Sequence, residues 1–121
     1  MKIVFICREE DLISEAKTAF EKTDNLVVCE QWSDGLNACE GAELLIVDLL
    51  ATLEQPHKIA GYENFALAKM AHPIAKDVPL VLISPPEDYD LDSMVGWPGF
   101  VFGHVRRPVT WKIFRRISTW V

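Results

Sequence analysis

The stretch Lys2-Ile3-Val4-Phe5-Ile6-Cys7-Arg8-Glu9-Glu10-Asp11-Leu12-Ile13 changes character abruptly after Cys7. Ile3 to Cys7 is continuously apolar and rich in branched side chains, which suits a central parallel strand covered on both faces. From Glu10 to Lys22, Leu12, Ile13, Ala16, Ala19 and Phe20 recur at helical spacing, with acidic residues at the positive end of the helix dipole. A buried strand that runs straight into an amphipathic helix is the opening of an α/β domain.

The rest of the chain repeats that alternation. Leu26-Val27-Val28-Cys29 reads as a second strand, and Ser33 is placed to cap a short helix to about Glu40. Leu44 to Leu49 is a third strand that carries Asp48 at its end. Residues 51–62 contain Pro56 and Gly61 and predict a loop, followed by a helix from about Glu63 to Ala71. Leu80 to Ser84 is a fourth strand, stopped by Pro85-Pro86. Asp90 to Val95 predicts one or two helical turns, and Phe100-Val101-Phe102 lies in the fifth strand. Arg107-Pro108 then turns into a final helix over Val109 to Val121, with a stripe of Ile113, Phe114, Ile117 and Val121. Right-handed crossovers turn this order into an open parallel sheet with helices on both faces, whose ligands sit at the carboxyl ends of the strands.

Composition narrows the function. The 121 residues predict a single domain over 1–121, half of it hydrophobic, with a net charge of −6. That charge is unevenly spread: residues 1–105 carry −11 and residues 106–121 carry +5. An acidic body argues against nucleic acid as the main partner. No apolar run approaches a bilayer span, and the chain opens directly into a strand, so a cytoplasmic protein with no membrane partner is expected. Cys7, Cys29 and Cys39 form no CxxC pair and predict free thiols. His57, His72 and His104 lack metal-ligand spacing, and the acidic run Glu87-Asp88-Tyr89-Asp90 with Asp92 lacks the spacing of a calcium loop.

The strand ends supply Arg8 and Glu9, Asp48, Ser84, and Arg107 with Pro108. In this order the chain resembles the receiver domain of bacterial response regulators, over its whole length in element order. The resemblance implies a flavodoxin-like (CheY-like) three-layer fold with a five-stranded parallel sheet in the order 2-1-3-4-5. It puts Arg8 and Glu9 where the family keeps a magnesium-binding acidic pair, and Asp48 at the phospho-accepting aspartate. Ser84 matches the switch serine or threonine. Arg107-Pro108 matches the lysine-proline, with its usual cis peptide, and His104 falls near the aromatic switch position, although Phe102 could also serve.

Three departures mark a degenerate, pseudo-receiver type: Arg8 in an acid's place, Pro85 where a small residue is usual, and Leu49-Leu50-Ala51-Thr52 in place of the usual turn. The formal charge over Arg8, Glu9, Asp48 and Arg107 is zero. Weak or absent magnesium binding by Glu9 and Asp48 is therefore expected, and no other cofactor. Two arrangements fit: Arg8 stands in for the cation and pairs with Asp48, or it points to solvent and Asp48 merely ends a strand. A bulge in the first strand would instead make Glu9 and Glu10 the acidic pair.

The expected role is signalling by protein–protein contact, with a histidine kinase or another signalling protein as partner, and no enzymatic activity beyond self-phosphorylation on Asp48. The alternatives are a phosphorylatable receiver and, more remotely, a phosphotransfer enzyme using Cys7. For the last, Glu9, Glu10 and Asp11 beside the thiol are unfavourable. Trp111, Lys112, Arg115 and Arg116 on the final helix are candidate interface residues, for an acidic partner or for a homodimer. Trp32, Trp97 and Trp120 complete a tryptophan-rich set, and the apolar end Trp120-Val121 fits a chain that continues into a longer regulator.

Overall fold

The computed structural model describes residues 1–55, 60–85 and 100–121. Its strands are β1 (Lys2–Ile6), β2 (Asn25–Cys29), β3 (Leu44–Asp48), β4 (Leu80–Ser84) and β5 (Gly103–Arg106). The helices are α1 (Glu10–Phe20), α2 (Trp32–Asn37), α3 (Ala60–Ala71) and α4 (Trp111–Ser118), with 3₁₀ turns at Leu49–Thr52 and Ala75–Asp77. All pairings are parallel and the sheet order is β2-β1-β3-β4-β5. The alternation of elements predicts the open parallel sheet, and its order is that of the flavodoxin-like (CheY-like) fold that the resemblance implies.

Strand alternation divides the core into two. Ile3, Phe5, Leu44, Ile46, Val81 and Ile83 face Leu12, Ala16 and Phe20 of α1 and Phe114 and Ile117 of α4. Val4, Ile6, Leu45, Val47, Leu80 and Leu82 face Leu36 of α2 and Tyr62 and Phe65 of α3. The three inner strands are buried on both faces, which explains why they read as continuous apolar runs.

Four elements, α2, α3, β5 and α4, differ most from the sequence reading. α2 begins at Trp32 and ends at Asn37, and Ser33 is not its cap: Gln31 is, with no side-chain bond. Trp32 anchors this turn by packing edge-on against Phe65, with ring centroids 5.9 Å apart. α3 starts at Ala60, before Gly61 rather than after it, because Gly61 is where the helix passes close to the preceding turn. A Cβ at Gly61 would lie 2.3 Å from the Thr52 carbonyl oxygen. Gly61→Ala is therefore expected to cost about 1–3 kcal/mol by forcing the two segments apart, read as a lower urea midpoint with an unchanged slope.

The fifth strand is Gly103–Arg106 rather than Phe100–Phe102. Phe100 is buried in the core, while Phe102 is 56% exposed and its N–H reaches only the Leu80 carbonyl, at 2.8 Å. Gly103 lets the Trp120 ring lie on the strand, since a Cβ there would meet it at 2.8 Å. α4 is shorter than the predicted 109–121, because Val109 belongs to the loop that follows the cis Arg107–Pro108 bond. The expected turns from Asp90 to Val95, the acidic run from Glu87, His57 and Trp97 lie outside the described residues.

Candidate functional site

The carboxyl ends of β1, β3, β4 and β5 meet at one edge of the sheet. Asp48 is the last residue of β3 and its side chain is only 2% exposed. The register of β1 with β3 sets Phe5 opposite Ile46, so the next pair on the same face is Cys7 with Asp48. The Cys7 Sγ indeed lies 3.6 Å from Asp48 Oδ2, and it accepts the Glu9 N–H at 3.4 Å. Cys7 is a site residue that charge-based reading passes over; the strand alternation Ile3, Phe5, Cys7 is the signal that finds it.

Arg107 closes the site from the β5 side. Its Nη1 donates to Glu9 Oε2 and its Nη2 to Asp48 Oδ2, so one guanidinium bridges both carboxylates. Asp48 Oδ1 and Arg107 Nε are buried without a hydrogen-bond partner. The cation beside Asp48 is therefore Arg107, not Arg8. Arg8 turns away toward β2, where its Nε donates to the Glu30 carbonyl at 3.0 Å and its Nη2 to Gln31 Oε1 at 3.4 Å. The reason is alternation: Cys7 continues the buried face of β1, so the next side chain leaves it. Glu10 does not join Glu9 in an acidic pair, because it opens α1.

Electrostatics follow from burial. Desolvation pushes the Asp48 carboxyl above the usual range, against the opposing charge and hydrogen bond of Arg107. For Arg107, desolvation opposes the charge, but the hydrogen bond to Glu9 and the attraction of Asp48 outweigh it and its pKa rises. The guanidinium thus anchors the pair, and the aspartate is the member that yields on acidification. Burial also pushes the Cys7 thiol up to about 12, with the Asp48 charge adding to the effect and the Glu9 backbone opposing it.

Ser84 ends β4 and is 1% exposed. Its hydroxyl lies 3.4 Å from the Val105 carbonyl and 2.9 Å from His104 Nε2. Burial and the nearby Arg106 charge lower the His104 pKa. His104 thus touches Ser84, a contact beyond the strand-packing role its sequence position suggests. Pro85 is buried beside it. Among the candidate interface residues, Arg115 is used internally: its Nη1 donates to the Ala19 carbonyl at 3.0 Å. The Trp111 N–H is held by Glu15 Oε2 at 2.8 Å while its ring stays exposed, with the Lys112 ammonium 5.7 Å from the ring centre.

Among the described residues no three His, Cys, Asp or Glu side chains are grouped to hold a metal ion. None of the described helices is long and apolar enough to cross a membrane. No protein-family model matches the chain, and no curated protein matches it by sequence.

Solved structures do match its fold, and they are response regulator receiver domains. A chemotaxis response regulator of Vibrio cholerae is 11% identical, with 99% of this chain and 98% of that one covered at a TM-score of 0.72. A receiver domain protein from Clostridium thermocellum is 16% identical, covering 98% of this chain and 92% of that one at 0.68. A receiver-modulated diguanylate cyclase from Pelobacter carbinolicus is also 16% identical, covering 98% and 90% at 0.68. The fold class is thus that of receivers.

Proposed function

We propose that the chain is an atypical receiver domain that signals through contact with another protein rather than through phosphoryl chemistry at Asp48. The observation that carries this reading is the Arg107 guanidinium bridging Glu9 and Asp48. A carboxylate that attacks a phosphodonor needs an accessible oxygen and a cation free to offset the incoming charge. Here one oxygen of Asp48 is buried and unpartnered, the other faces Arg107 and Cys7, and the Ser84 hydroxyl is turned to β5. The receiver-like fold supports a place in two-component signalling.

The reading that uses Cys7 as a phosphotransfer nucleophile loses its chemistry, since the reactive species is the thiolate and this thiol is fully buried with a pKa pushed up to about 12. Exposed Trp111, Lys112 and Arg116 on α4 suit an acidic protein surface, from a partner or from a second copy.

Incubation of the full chain with acetyl phosphate and magnesium, followed by intact-mass analysis, tests the proposal. No phosphoryl adduct on Asp48 is expected. A stable adduct that disappears in an Asp48→Asn variant would establish the phosphorylatable alternative instead.

A further inference from the structure

We infer that the Asp48 site is built around a resident guanidinium and is closed to divalent cations, and that Cys7 closes it jointly with Arg107. The inference deepens the proposed function and rests on that reading of the site. Magnesium takes oxygen ligands in near-ideal octahedral geometry, usually through carboxylates and water. Among the described residues, the carboxylates that reach the Arg107 fork are Glu9 and Asp48, and it bonds both. An arginine does not shed its proton to make way for a metal, and its planar donors hold two carboxylates at once.

The remaining approach to Asp48 Oδ2 belongs to Cys7, whose sulfur sits 3.6 Å away. Sulfur is a soft donor unsuited to magnesium, and a neutral thiol adds no charge to attract it. Glu9, Asp48 and Cys7 carry two negative charges, where three carboxylates would carry three, and Arg107 brings the net to one. Two devices therefore act in series. Arg107 fills the cation's place, and Cys7 removes the third oxygen ligand that would hold a cation there if Arg107 left. The donor set does not fit magnesium.

The test is thermal unfolding of the full chain with and without millimolar magnesium chloride at matched ionic strength. Manganese-induced broadening of the Glu9 and Asp48 amide signals serves as a second readout. The wild-type midpoint stays unchanged and the signals stay sharp. Arg107→Ala alone gains little, under about 1 °C, whereas Cys7→Asp combined with Arg107→Ala gains about 3–6 °C with magnesium.

A magnesium shift or localised broadening in the wild type overturns the inference, and that measurement stands even if the combined variant fails to fold. An equal gain in Arg107→Ala alone overturns the part assigned to Cys7. A combined variant that folds and ignores magnesium overturns the joint assignment. Phosphorylation of Asp48 without metal binding would defeat the proposed function and leave this inference standing; metal binding without phosphorylation would do the reverse.

Discussion

Replacing Arg107 with alanine lowers the free energy of unfolding by about 3–5 kcal/mol at neutral pH. The size follows from which limit applies. An exposed ion pair contributes about 0–1 kcal/mol, and the Glu9 side of this network, with Glu9 48% exposed, belongs to that class. The Asp48 side does not: its carboxylate is 2% exposed and the Arg107 side chain 13%. Removing the guanidinium leaves a buried carboxylate without its cation, held by the Cys7 thiol and the Leu50 backbone.

The loss depends on pH in a definite direction. Asp48 already has its folded-state pKa raised by burial, and without Arg107 it rises further. A carboxyl raised in the folded state contributes stability that is fully present below its unfolded pKa, and that is lost as pH rises through the folded value. The gap between wild type and Arg107→Ala therefore narrows in acid, where the uncompensated carboxyl takes up a proton, and widens toward neutral pH. Urea denaturation at several pH values measures it; a gap that is constant with pH would show that the effect comes from lost packing.

Phe114→Ala gives a comparable loss, about 3–5 kcal/mol, for a different reason. Its ring is fully buried and meets Phe5 edge-on at 5.4 Å and Phe20 at 6.1 Å. It thus joins α4 to β1 and to α1, and truncation opens a cavity between elements that cannot collapse without moving the sheet. Trp111→Ala, on the same helix but exposed, should change stability by no more than about 0.5 kcal/mol. Denaturant midpoints of the two variants separate a core role from a surface one.

These two residues also mark what the sequence discloses. The stripe through Phe114 is legible because a helix against a sheet must repeat its apolar residues at helical spacing, and β1, β3 and β4 are legible because strands buried on both faces keep polar residues to their ends. β5 is hidden because its residues alternate between half-buried and exposed, and apolarity points to Phe100–Phe102 instead. Gly61 reads as a break, although its small size serves a close helix approach.

At the site, Asp48 and Ser84 are legible because they follow apolar runs directly, and Arg107 because Arg107-Pro108 matches the lysine-proline of the family the chain resembles. Pairing Arg8 with Asp48, one of the two arrangements open in the sequence, matches charge without regard to side-chain direction. Period-two alternation sends Cys7 toward Asp48 and Arg8 toward Glu30, and nothing in the charge of these residues reveals it. The reach of Arg107 to Glu9, from the far end of the chain, depends on tertiary placement alone.

The resident-cation account is tested most directly by a double-mutant cycle between Arg107 and Asp48, using Arg107→Ala, Asp48→Asn and the two together in urea at neutral pH. The account predicts a coupling energy of about 1.5–3 kcal/mol, because each side chain is the other's principal charge partner in a buried site. Additivity within about 0.5 kcal/mol would contradict it, and would mean that Arg107 does not neutralise Asp48.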